Sequence, residues 1–286
     1  MAEPLTGPRP RPSRRSRRPD HLRPLHPYRV LLASRLRSQL TYRTSFATDV
    51  LGTLVVGLVE LAEVWVIFHN VDTLGGLDFA SALLVFALSN VCFAVADLLV
   101  GHLDSLPTYI RAGTVDAFYV RPLPLLAQLV SSDISLRRVG RLTVALVALV
   151  VGLATAGVQW SVAAAALLVL TIVSGTAVFA GLFTTAGALQ FFVVDGAEVT
   201  NSFTYGGSYA AQQSQQVFPD PLRVFWTFVV PTAFVAYQPA LTLLGRDDGF
   251  LPGWAGWLTP VAALLTWAVA ATCWRLGTRH YQGAGG

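Results

Sequence analysis

The chain has 286 residues, of which 53% are hydrophobic and only 13% charged, with a mean hydropathy of +0.55 and a formal net charge of +4. A soluble domain carries about 25% charged residues, so this composition excludes an ordinary water-soluble fold. All 20 residues counted as Lys or Arg are arginine; a phosphate-cradling Walker loop needs its lysine, which excludes ATP hydrolysis by that route.

Eleven arginines lie in the first 43 residues. Residues 1–26 are rich in arginine and proline, hold almost nothing to bury and read as a disordered cytoplasmic arm lying against anionic lipid. No folded domain follows that would read nucleic-acid bases, and no short apolar segment with a cleavage site marks a signal peptide. Over 27–43, Leu32, Leu36 and Leu40 recur at four-residue spacing beside Arg29, Arg35, Arg37 and Arg43. This predicts an amphipathic helix on the membrane surface, the alternative being an extension of the first span.

That first span is expected at 46–68. Glu60 and Glu63, three residues apart, share a helix face. Charge at membrane depth is costly, so both should face the bundle interior or an aqueous path. They are candidates for lining a translocation path; the alternatives are a bond to a neighbouring helix for Glu60 and headgroup proximity for Glu63. The second span, 80–100, adds Asn90 to the path candidates. Asp97, near its end, reads as an interfacial cap or a salt bridge to the basic loop that follows.

That loop, 101–138, is polar and broken into short helical pieces by prolines. Further spans are expected at 139–157 and 162–191. Gly175, Gly181 and Gly187 lie six apart in the latter, on different faces, which is not the GxxxG pattern. A polar stretch, 193–223, precedes a fifth span at 224–243, where Pro231 removes a backbone donor and should kink or gate the helix. A sixth span at 254–274 leads to a tail, 276–286. The expected fold is all-α: a polytopic domain, 44–275, of six transmembrane helices.

An even number of spans puts both termini on one side. If that side is the cytoplasm, 19 of the 20 arginines are cytoplasmic and Arg246, beside Asp247 and Asp248, is the exception. The positive-inside bias therefore orients the chain in a bacterial inner membrane with both termini inside. Cys92 and Cys273 fall in apolar stretches, and the five histidines are scattered, with His69 and His102 on opposite sides, so no metal site is expected.

The stretch GHLDSLPTYIRAGTVDAFYVRPLPLLAQLV, followed by SLRRVGRL, resembles the cytoplasmic region of six-span ABC-2 type transporter permeases. Gly113, Asp116, Phe118, Arg121 and Pro122 carry the likeness there. Pro231, Ala233, Phe234, Tyr237 and Pro239 resemble the family's fifth-span signature, and Trp274, Gly277 and Tyr281 its ending. The resemblance covers roughly 28–283 and leaves the arginine–proline arm unexplained. It implies export by a permease subunit with no cofactor of its own, ATP and Mg being held by two separate nucleotide-binding ATPase subunits. It also implies a second copy of this permease or a homologous one, a type V exporter-like arrangement in which 27–43 is the connecting helix and the 101–138 loop the coupling helix. By that likeness, ATPase contact falls to Asp104, Arg111, Gly113, Asp116, Arg121 and Pro122, although Asp116 and Arg121 read better as an internal lock of the loop. The cargo would be an unidentified small molecule or lipid-like substrate. Two other classes stay open: an ion-gradient-driven secondary transporter, which calls for matching halves, and a lipid-carrier enzyme using Asp97, Asp104 and Asp116.

Overall fold

A computed structural model describes residues 43–120, 124–132, 138–193 and 197–281. The arm 1–26, the surface helix 27–43 apart from Arg43, and both Arg121 and Pro122 lie outside the described residues. What is described is almost wholly helical. The exception is a single bridge between Leu74 and Leu77 in the first interhelical turn.

The helices, in chain order, are α1 (Arg43–Asn70), α2 (Phe79–Val100), α3 (Leu106–Arg111), α4 (Thr114–Tyr119), α5 (Leu125–Ser132), α6 (Val139–Thr155), α7 (Val162–Leu189), α8 (Ala197–Ala211), α9 (Asp220–Val224, continued by a π turn to Val229), α10 (Tyr237–Leu244) and α11 (Thr259–His280). A 3-10 turn, Gly101–Ser105, joins α2 to α3. Helix α2 is the axis of the bundle, buried along most of its length. Helix α7 packs beside it and holds α11 on its other flank.

The six expected spans do not form. Among the described residues, four helical stretches are long and apolar enough to cross a membrane: Phe46–Asn70, Phe79–Arg111, Val162–Leu189 and Ala255–His280. A fifth is reached only if Asp220–Val229 and Thr232–Leu244, bent by 71°, are one span. Helix α6, expected as the third span, has 17 residues; at about 1.5 Å per residue it is roughly 25 Å long, short of an apolar slab of roughly 30 Å.

The expected fifth span fails at Val230–Pro231, where the helix ends and Pro231 brings no N–H to continue it. Its two limbs also return to one end of the molecule. Arg223, at the start, forms a 2.5 Å ion pair with Asp248, just past the finish, so the segment is a re-entrant hairpin. The expected polar loop 193–223 is different as well. Helix α8 carries the chain from Tyr205, bonded to Asp104, up to Ser214, whose hydroxyl donates to the Gly75 carbonyl at the opposite end. Arg223 therefore joins Arg246 at that far end, where Arg246 lies 3.6 Å from Asp78. The Ser81 hydroxyl, 2.5 Å away, is the main reason the Asp78 carboxyl is held below the usual range.

Packing inside an apolar solvent relies on close approach rather than on expelling water. The three glycines of α7 serve three different neighbours: a Cβ at Gly175 would meet Cys92 of α2, at Gly181 Thr266 of α11, and at Gly187 Leu103. The tightest approach to the backbone of another helix is at Gly140 of α6, where a Cβ would run into the Val50 carbonyl of α1 and stand 2.8 Å from the Leu54 nitrogen. Those are backbone atoms and cannot step aside. Gly140→Val is therefore expected to cost about 1–3 kcal/mol, read as a lower unfolding midpoint in detergent. A midpoint equal to that of the unsubstituted chain would show that α1 does not pack there.

Candidate functional site

The conspicuous chemistry gathers at one end of the bundle, where α2 finishes, α6 begins and α11 finishes. Helix α3 ends at Ala112, and Gly113 follows at φ +65°, a left-handed turn that glycine adopts without strain. The chain thus doubles back into α4. Leu106, Pro107 and Val115 are buried against the bundle while Arg111, Ala112, Thr114 and Ala117 are exposed, so this short helical pair offers an outward face on an anchored base.

Four sets of bonds tie this end of the bundle together. The Tyr205 hydroxyl donates to Asp104 Oδ2 at 2.9 Å. The His102 ring lies 2.5 Å from the Leu129 carbonyl, tying α5 to the 3-10 turn, and Gln128 Nε2 donates to the Phe118 carbonyl at 3.0 Å. Arg138, at the start of α6, pairs with the Asp97 carboxylate and donates to the Asp97 carbonyl at 2.6 Å. The fourth set comes from the end of α11. The Tyr281 hydroxyl donates to Asp116 Oδ1 at 2.9 Å, and its ring stacks on Tyr119 with centroids 5.7 Å apart and planes 5° from parallel. The Tyr119 hydroxyl in turn donates to the Thr278 carbonyl at 3.3 Å. Partial burial, and then the adjoining Asp116 carboxylate, push the Tyr281 phenol up to about 12. Because its folded value is the higher one, this contribution is complete below pH ~10 and is lost as pH rises through the folded value. The phenol stays a donor throughout the physiological range.

A second polar cluster lies deeper. Arg141 Nη2 donates to Glu60 Oε1 at 2.7 Å and Oε2 at 2.9 Å, and to Asn90 Oδ1 at 3.2 Å. Its guanidinium also sits 4.7 Å from the centre of the Phe93 ring. Arg138 and Arg141 both fall in the first turn of α6, where a cation opposes the helix dipole. Each has found a carboxylate on another helix that offsets this. Glu60 and Asn90 thus meet in one α1–α2–α6 clamp through Arg141. Glu63, one turn along, is exposed, so the two glutamates do not share an environment.

Of the residues expected in a coupling loop, Asp104 and Asp116 are anchors, Gly113 is the turn and Arg111 is at the outer face. Arg121 and Pro122 lie outside the described residues. Arg141, Tyr205 and Tyr281 escaped the sequence reading as site residues. For Arg141 a signal existed, since an arginine at the start of one apolar segment and a glutamate inside another invite pairing. Tyr205 and Tyr281 offered none, because each lies more than 100 positions from its partner. Among the described residues no group of three His, Cys, Asp or Glu is placed to hold a metal ion, and His69, stacked on Trp65, sits at the far end from His102.

No characterised protein and no solved structure gives a significant match to the chain. Residues 54–285, from the first long helix through the Tyr281 latch, match the family described as ABC-2 family transporter protein, and the chain belongs to that family of membrane transporter components.

Proposed function

We propose that the chain is the permease subunit of an ABC exporter, moving a small or lipid-like molecule outward with energy from two separate ATPase subunits. ATP and Mg belong to those partners, and the chain works with a second copy of itself or a homologous permease. The observation that carries this reading is the anchored helical pair α3–α4. Its outer face is open to a partner, its base is bonded to α5 and α11, and the 3-10 turn leading into it is bonded to α5 and α8, so a push on it is delivered to several helices together. A stroke needs such stiffness, because packed elements switch between discrete arrangements.

The arginines support an inner-membrane orientation with this end in the cytoplasm. Among the described residues Arg111, Arg138, Arg141, Arg275 and Arg279 cluster towards it, whereas Arg223 and Arg246 at the far end each have an aspartate beside them. The arginine arm would lie against anionic lipid on the same side.

The test is purification in mild detergent of the chain co-expressed with its neighbouring genes, with intact mass and ATP turnover as readouts. A complex of two permeases and two ATPases is expected, and Arg111→Glu on the outer face should lower the ATPase recovered per folded permease. A lone chain that transports on an ion gradient without nucleotide would overturn the assignment.

A further inference from the structure

Away from the anchored end, the re-entrant hairpin stands off from α7 and α11 and leaves a lateral cleft with a volume of about 430 Å³. Its walls are Leu182 and Ala186 of α7, Thr227 and Pro231 of the hairpin, and Ala262 and Leu265 of α11. No charged residue lines it. The Thr185 and Thr266 hydroxyls in its wall are spent on their own helices, each donating to the carbonyl four residues back at 2.8 Å. The Thr227 hydroxyl, on a side chain only 1% exposed, is buried without a hydrogen-bond partner.

The mouth decides what can enter. Phe228, Val229, Leu265 and Val269 form the rim, each more than half exposed, and helices α7 and α11 belong to stretches long and apolar enough to cross a membrane. The rim of the cleft therefore faces sideways into hydrocarbon. Water is a poor filler, since a buried water needs two to four polar partners. The volume lies within the range of small-ligand pockets, roughly 300–1,000 Å³, and is far larger than a packing defect.

We infer that this cleft is a seat for a hydrocarbon chain, the acyl chain of a bilayer phospholipid, which enters laterally and fills the space between the hairpin and the α7–α11 pair. The inference rests on the membrane-spanning character of the helices and is independent of the transport assignment. Seated there, the chain supplies dispersion contacts that the hairpin limb Thr227–Val230 lacks from protein on that side. The lipid becomes a structural part of the hairpin's position.

The experiment uses the whole chain in phosphatidylethanolamine–phosphatidylglycerol vesicles doped with a phospholipid bearing a diazirine on its acyl chain. After illumination, labelled peptides are mapped. Labelling of the cleft segments, 182–189, 227–234 and 258–269, should exceed that of the lipid-facing sides of α1 and α6 on the order of tenfold, the ratio given by ~1.4 kcal/mol of preferential seating. Ala186→Leu and Ala262→Leu, made separately, place a branched side chain in the cleft from each helix of the α7–α11 pair. Whichever of them keeps the parent's unfolding midpoint should bring the ratio down to that of the open helix faces. If both lower the midpoint, the parent's own labelling ratio, with competition by unlabelled phospholipid, decides the matter. Even labelling of all apolar faces would overturn the inference. So would an unlabelled cleft with hairpin-to-hairpin cross-links through Val229→Cys, which would identify a second copy as the occupant.

Discussion

Arg141→Ala is expected to be the most damaging single truncation in the chain, lowering the stability of the folded bundle by about 3–5 kcal/mol. The reason is asymmetry. The substitution removes three charge-assisted hydrogen bonds to Glu60 and leaves its carboxylate, on a side chain 8% exposed, without a counter-charge inside an apolar bundle. Asn90 loses its acceptor bond in the same step. Replacing both charges, as in Glu60→Leu with Arg141→Met, should restore most of the loss, because a buried pair and an apolar pair of similar volume differ little. Chemical unfolding in detergent, followed by circular dichroism, measures all three variants. A single variant that loses under ~1 kcal/mol would mean the clamp is an exposed pair of the weak kind.

Tyr281→Ala should separate ATP turnover from transport in the assembled complex. The change removes a hydrogen bond to a carboxylate and a stacked ring pair, together about 2 kcal/mol of docking energy, or roughly 30-fold in the population of latched α4. The outer face of α3–α4 proposed to meet the ATPase is untouched, so under that proposal nucleotide hydrolysis continues while cargo movement per ATP falls. Tyr281→Phe keeps the stack and should give a milder defect, and Asp116→Asn, which preserves an acceptor, milder still. A merely structural tyrosine would instead lower both activities in parallel with the amount of folded complex. That parallel loss is the result that would refute the latch.

The class of fold was legible because it depends on local quantities. Apolar length identified the helices α1, α2, α7 and α11, and Gly113 between two short helices needs only the chain's own backbone rules. The miscount has a physical origin in the same quantities. Residues 224–243 are apolar enough for a span, and apolar length is blind to direction. The return of the hairpin is set by a pair, Arg223 and Asp248, that closes only in three dimensions. Helix α8 was read as loop for the converse reason. Its tyrosines, serines and threonines look solvated in one dimension, yet Thr204 and Ser208 are buried in the bundle. At the candidate site, Asp104 and Asp116 were visible as carboxylates of the loop, but their bonds to Tyr205 and Tyr281 were not, because those partners come from distant helices.

The hairpin carries a consequence for how the molecule is made. Asp220–Leu244 holds Pro221, Pro231 and Pro239 within 25 residues, and a segment so interrupted cannot enter a bilayer as a self-sufficient helix, since its freed backbone groups need partners that only protein can supply. Its closest supports include Thr259, whose hydroxyl donates to the Phe234 carbonyl at 2.8 Å, and Gly256, where a Cβ would meet Pro239. Both supports are synthesised after it. The hairpin must therefore wait in an unfinished state until the start of α11 leaves the ribosome, which makes its docking a late step of assembly and a natural point for quality control to act.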